Sequence, residues 1–158
     1  MDRGANVNDV ETGPRREGNS TRFTPLMAAS REGNTDLVRL LVAKGADVNY
    51  RNEFKQTALT ECVLVDKLGT ALILLEHGAD YKQPIFYRPE ENREIYLADL
   101  LREQMFDLDT EQYTEKMKVV GVLKGKGIDY KAIPIPDFIR KKAQENYPGK
   151  WQDYLEKY

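Results

Sequence analysis

His77 and Cys62 are the chain's only histidine and only cysteine. One of each cannot assemble the three or four nitrogen and sulfur ligands of an ordinary zinc site. A single cysteine also forms no intramolecular disulfide, which leaves the redox compartment undecided. His77 precedes Gly78 at the end of an apolar, helix-like run. A cationic imidazole there favours the helix dipole, and no nucleophile stands beside it in the pattern. Asp107, Asp109 and Glu111 alternate as the first ligands of a calcium loop do, but the loop glycine and the distal glutamate are missing. Gly125 and Gly127 close a periodic segment and open none, so they form no phosphate-binding loop. These residues predict no active site, no metal and no cofactor, and the chain is expected not to be an enzyme.

The elements must therefore position a surface. The chain has 158 residues, enough for one domain around a continuous core. Its hydrophobic share of 41% is low for a globular domain and its charged share of 32% is high, as in elongated stacks with a large surface for their volume. A net charge of −2 and a pI near 5.6 give no electrostatic footprint for nucleic acid. The longest strongly apolar run, Ala71 to Leu75, is far below the ~18 residues that suggest a membrane span.

Internal repetition supplies the architecture. The string GANVN begins at Gly4, GADVN at Gly45, GADYK at Gly78 and GIDYK at Gly127, giving spacings of 41, 33 and 49 residues. Thr24-Pro25-Leu26-Met27 lies 21 residues before Gly45, and Thr57-Ala58-Leu59-Thr60 lies 21 before Gly78. Thr24 is suited to cap a helix whose first turn holds Pro25, where the missing N–H costs nothing. Leu37, Val38, Leu40 and Leu41 form an apolar stripe at helical spacing, and Gly45 ends that helix. A lone helix pair cannot bury such a stripe, so neighbours must stack.

Residues 24–49, TPLMAASREGNTDLVRLLVAKGADVN, resemble the ankyrin repeat nearly throughout, and the spacing of 33 equals its period. Residues 57–82 match more loosely, and residues 95–131 match only through VVGVLKGKGIDYK. The resemblance implies an all-α solenoid of helix-turn-helix units joined by finger loops. It places Cys62 at the small, buried position of Ala29. It also shows departures. Met27 and Thr60 stand where the family has a histidine that bonds the loop backbone. The first finger is 8 residues longer than the second, and the finger around Pro84 to Glu91 is 5 longer. The last unit carries 11 extra residues between its helices, with Asp109 and Gln112 reading as a capping box.

The expected division is 1–23 for the end of a first repeat and a long finger, 24–56, 57–93 and 94–131 for repeats, and 132–158 for a helical cap. Met1 to Asn8 read as the tail of a repeat whose helices lie upstream, along with any export signal or lipid anchor. Ile133-Pro134-Ile135-Pro136 is extended, because residues before proline avoid the helical region. A helix then runs from Pro136 to about Asn146, and Pro148-Gly149 makes a turn. Trp151, Tyr154, Leu155 and Tyr158 share one helical face, suited to a cap on the last repeat or to a partner.

In the family, partners lie on finger tips and on the exposed face of each first helix. By position this implies Arg31 and Glu32 in one unit, Leu64 and Val65 in the next, and Tyr50, Arg51, Glu53 and Phe54 on the finger between. An apolar patch of Leu64, Val65, Phe54 and Tyr50 rimmed by Arg31, Arg51 and Glu53 has the composition of an interface centre. Phe86 and Tyr87 either join it or fold back, with Ile85, to bury Leu64 and Val65. The charged run Arg15-Arg16-Glu17 reads as solvated loop. The expected function is binding, and blocking, of one dedicated protein. Compact ankyrin chains with irregular repeats are similar to bacterial immunity proteins that neutralise secreted toxins, lipase effectors among them. The alternative is an adaptor without inhibitory activity. An upstream export signal implies the periplasm; without one the expectation is cytoplasmic.

Overall fold

A computed structural model of the chain describes residues 6–10 and 22–158. It divides into two compact units, one ending at Tyr96 and the other spanning Leu97–Tyr158. Arg15, Arg16 and Glu17, with most of the first finger, lie outside the described residues.

The first unit holds two helix pairs. Helix α1 spans Pro25–Glu32 and α2 Thr35–Ala43. Thr24 caps α1 by accepting from the Met27 N–H, and Pro25 sits in the first turn. Asn34 caps α2 through the Leu37 N–H. Helix α3 follows at Ala58–Leu64 and α4 at Leu68–Glu76. Thr60 does not bond a neighbouring loop, as the family's histidine does. It turns back to Thr57, each side chain accepting the other's backbone N–H in a reciprocal cap. Helix α1 packs on α3 and α2 on α4 around Leu26, Met27, Val38, Leu59, Cys62, Leu68 and Leu74. The Leu37–Leu41 stripe is only partly covered. Val38 is fully buried, while Leu37 and Leu40 are 39% and 54% exposed because they face away from the second pair.

The glycine ends work alike in both pairs. Gly45 and Gly78 both adopt φ of 87°, a conformation that a side chain would strain. The next N–H then closes on the preceding helix, Ala46 to the Leu41 carbonyl at 3.0 Å and Ala79 to that of Leu74 at 2.9 Å. The turns are tied to each other by asparagine. Asn49 accepts from the Asp80 N–H at 2.8 Å and donates to the Gly78 carbonyl at 3.1 Å. Asn8 does the same one unit earlier, accepting from Asp47 N–H at 2.8 Å and donating to the Gly45 carbonyl at 3.3 Å. The N in GANVN and GADVN is thus the clamp between successive turns. Replacing Asn49 by alanine should cost about 1 kcal/mol, since two solvent-accessible backbone groups lose a partner; an unchanged melting midpoint would show that the clamp is dispensable.

The long third finger is a β-hairpin. Strand β1, Phe86–Arg88, pairs antiparallel with β2, Arg93–Ile95, in the register Phe86–Ile95, Tyr87–Glu94 and Arg88–Arg93. A 3₁₀ turn at Pro89–Glu91 and a left-handed Asn92 (φ 50°) reverse the chain. Glu91 holds both arms, at 2.6 Å from Arg88 and 2.6 Å from Arg93. These two guanidinium bonds keep its carboxyl below the usual range.

The second unit contains α5 (Leu97–Glu103), α6 (Glu111–Gly125), α7 (Asp137–Asn146) and α8 (Trp151–Lys157). The cap of α6 is Thr110, which accepts from the Tyr113 N–H, so the helix starts one residue later than expected and the Asp109–Gln112 box does not open it. Helices α7 and α8 pair around Ile139, Ala143, Tyr154 and Tyr158, with Met105, Leu108, Ile135, Tyr147, Trp151 and Leu155 against them. The tail is tied to α5 and to the segment after it by donors to bare carbonyls: Arg102 to Ile133 and Tyr158, Tyr154 to Phe106, and Tyr158 to Arg102 and Gln104.

Candidate protein-binding surface

Two fingers and the ends of α1 and α3 position the residues that the sequence singles out. The second finger, between α2 and α3, is organised by Asn52, which is only 5% exposed. Its Oδ1 accepts from the N–H groups of Phe54 and Gln56, and its Nδ2 donates to Gln56 Oε1. Lys55 takes the left-handed conformation at the tip, with φ of 62°. This buried hub holds Phe54 outward, 55% exposed, beside the exposed Glu53. Tyr50 is half-buried at the finger's base. Arg51 bonds the Lys55 carbonyl at 3.2 Å and reaches Gln83 on the next finger at 3.1 Å, so neighbouring fingers are cross-braced.

Leu64 ends α3 and Val65 follows it; they are 47% and 37% exposed. The third finger therefore does not bury them. It packs Ile85 inward and turns Phe86 and Tyr87 out, with Tyr87 52% exposed. The Arg88 guanidinium lies over the Phe86 ring at 5.6 Å, and the Tyr87 hydroxyl donates to Asn92 at 2.5 Å. Ordered, exposed aromatics of this kind lose little entropy on binding.

Arg31 and Glu32 occupy the exposed end of α1. Arg31 bonds Glu61 Oε2 at 3.2 Å, linking α1 to α3, and stands over the Phe23 ring at 5.9 Å. Glu61, buried beneath Arg31, is a support of this surface that sequence reasoning missed. Its side chain is 3% exposed, and Oε1 has no hydrogen-bond partner among the described residues. Burial pushes its carboxyl up, and Arg31 pulls it back part of the way. Asn52 was missed as well, because one asparagine in a polar finger carries no periodic signal.

The residues weighed for chemistry have structural partners. Cys62 is fully buried, donates to the Leu59 carbonyl, and has its thiol pushed well up by desolvation. His77 caps the C-terminus of α4, its Nδ1 at 2.8 Å from the Ile73 carbonyl. Asp107 accepts from the Tyr147 hydroxyl. Among the described residues no group of acidic, histidine or cysteine side chains is arranged to hold a metal, and no helix is long and apolar enough to cross a membrane.

The family described as ankyrin repeats (3 copies) matches residues 4–85, just over half of the chain. Among curated proteins, an ankyrin repeat protein of Acanthamoeba polyphaga mimivirus is 39% identical over 84 residues, covering 50% of this chain and 50% of its own length. The FYVE zinc finger domain protein UPA1 of Mycosarcoma maydis is 42% identical over 57 residues, covering 35% of this chain and 4% of its own. The chain thus aligns with half or less of the length of these relatives. Phased caps, glycine closures and asparagine clamps agree with the family match: the chain belongs to the ankyrin-repeat family and is a protein-interaction module built as an all-α repeat solenoid.

Proposed function

We propose that this chain binds and blocks one dedicated partner protein through Phe54, Leu64, Val65, Phe86 and Tyr87, with Arg31, Glu32, Tyr50, Arg51 and Glu53 around them. The observation that carries the reading is the bracing of the fingers. Asn52, the Arg51–Gln83 bond and the Glu91 ion pairs hold large apolar side chains exposed in fixed positions. A monomer gains nothing from such a display, and a few aromatic and Arg anchors carry most of the energy of a typical interface. Irregular fingers favour one partner over many. A secreted toxin, neutralised as immunity proteins do, is the partner class that the sequence resemblance suggests; neither the mimivirus nor the Mycosarcoma relative is named for such a role.

The test is a complex recovered from the native source, its partner identified by mass spectrometry and assayed bound and free. Inhibition requires that activity disappear in a stable one-to-one complex. A bound partner that keeps full activity points to an adaptor. Phe54→Ala and Leu64→Glu should each raise Kd roughly 30-fold, about 2 kcal/mol, with circular dichroism unchanged. Unaltered affinity in both variants would remove this surface from the interface.

A further inference from the structure

We infer that Glu61 is a positioning residue for Arg31. Ionised, it holds the guanidinium in place on the binding surface; in acid it lets go, and partner binding weakens. In the 33-residue register Glu61 stands where the first repeat has Ala28. A carboxylate has taken the place of a methyl group, in a position that α1 covers by packing on α3. Packing requires no charge there, and burying one costs stability. Helix capping does not require it either, since Thr57 and Thr60 already close the start of α3. A costly local exception that serves neither packing nor capping marks a functional position.

The buried carboxylate meets Arg31. Oε2 accepts from Nη1 at 3.2 Å, from one repeat to the next, while the Phe23 ring lies 5.9 Å from the guanidinium. Two groups thus fix a long, flexible side chain. Its Nε and Nη2 have no partner among the described residues, so they are open to an acceptor on another protein. Leu64 holds the position of Arg31 in the second pair and is 47% exposed with α1 packed on α3. A repeat stacked on α1 would leave Arg31 open in the same way. An arginine fork held in advance loses less entropy on binding than a free one.

Acid undoes the hold. Burial pushes the Glu61 carboxyl above its ordinary 4.5, and Arg31 pulls it only part of the way back. The elements packed on α3 carry Arg31 and Glu32 on α1, and Lys67 and Glu76 at the ends of α4. Of these, Arg31 is the group that bears on the carboxyl. Cys62, beside it on α3, stays uncharged because its thiol is pushed well up. A proton on Glu61 abolishes the ion pair. The raised group binds that proton more tightly folded than unfolded, so its protonation adds stability as pH falls. Release of Arg31 is therefore separable from acid unfolding.

NMR of the free 158-residue chain between about pH 7.5 and about pH 4.5 tests the hold without a partner. The Glu61 carboxyl ¹³C shift should titrate above 4.5. The Arg31 Nε–Hε heteronuclear NOE should fall along the same curve, from a rigid value to that of the exposed Arg39. Glu61→Gln should leave Arg31 mobile throughout and raise the urea midpoint at neutral pH; Glu61→Ala, the residue of the first repeat, should do the same. An Arg31 as mobile as Arg39 at neutral pH overturns the inference, and so does one that stays rigid while Glu61 takes its proton. The effect on binding rests on the surface proposed above. On the complex recovered from the native source, acid should speed dissociation roughly fivefold more for wild type than for Glu61→Gln, the loss of about one hydrogen bond. Equal acceleration in both overturns the acid release. A complex indifferent to Phe54→Ala and Leu64→Glu fails the surface itself, and the NMR curves still decide whether Glu61 holds Arg31.

Discussion

Replacing Tyr158 by alanine is expected to remove about 3–5 kcal/mol from the stability of the Leu97–Tyr158 unit, the range for deleting a large buried aromatic side chain. The ring is 1% exposed, and it stacks on Tyr154 with centroids 5.7 Å apart. Its other neighbour is the buried ammonium of Lys116, 3.6 Å from the ring centroid. The hydroxyl donates to the carbonyls of Arg102 and Gln104, two groups near the end of α5. Truncation opens a cavity, takes a donor from each of those carbonyls, leaving the Lys116 ammonium on that of Gln104, and strips a buried cation of one of its aromatic faces. Such a loss is a large share of the ~5–15 kcal/mol that holds a typical domain. Tyr158→Phe separates the contributions: the ring stays, the hydroxyl goes, and about 1–2 kcal/mol should be lost. Urea denaturation followed by circular dichroism reads both. A loss under 1 kcal/mol for the alanine variant would mean that the tail is not docked on α5 as the structure has it.

The difference between what was and was not legible in sequence follows from the range of the interactions. Thr24, Pro25, Gly45 and Gly78 act on backbone within four residues of themselves, so their spacing alone announces caps and closures. The VN asparagines repeat with the glycines and were visible as a pattern, although their job, bonding the next turn, spans 31 residues at Asn49. The capping box at Asp109 failed by one residue because Thr110 competes for the same role and leaves Asp109 at the surface. The third finger read as a loop. Its strands are three residues each, too short for an alternation signal, and Glu91 stabilises them through ion pairs that no periodicity encodes. On the proposed binding surface, Phe54, Leu64 and Tyr87 were legible as apolar residues at positions that the stack leaves open. Glu61 and Asn52 were not, since their roles depend on burial, under Arg31 for Glu61 and inside the second finger for Asn52. Lys116 is the extreme case: a lysine in a helix of alternating charge, EQYTEKMKVVG, that the fold encloses completely.

That enclosure makes stability depend on pH in a direction opposite to ordinary alkaline loss. Lys116 donates to the Gln104 carbonyl at 2.8 Å and faces Arg102, Tyr130 and Tyr158. Burial, with repulsion from Arg102, pushes its ammonium down to about 7 from an ordinary 10.5. The rings of Tyr158 and Tyr130 oppose this by favouring the cation. Between about pH 7 and 10.5 the unfolded chain therefore holds a proton at this lysine that the fold does not. Stability rises with pH through that window, by at most about 1.4 kcal/mol per unit, and is lost as pH falls back towards 7. The buried tyrosines act the other way. Burial pushes the hydroxyls of Tyr130, Tyr154 and Tyr158 above the ordinary 10, so their contribution is intact below 10 and declines above it. A stability maximum between pH 9 and 10 is the expected result, at about the point where the two trends cross. Lys116→Met, which keeps the length of the side chain without its charge, should flatten the rise between pH 7 and 9. It should also leave the protein at least as stable as wild type at pH 7, because the desolvation cost of a buried charge has been removed. The exposed Lys118→Met is the control and should keep the wild-type slope. Urea midpoints at pH 7, 8 and 9 decide the matter: equal slopes in all three proteins would mean that the tyrosine cage keeps Lys116 protonated throughout.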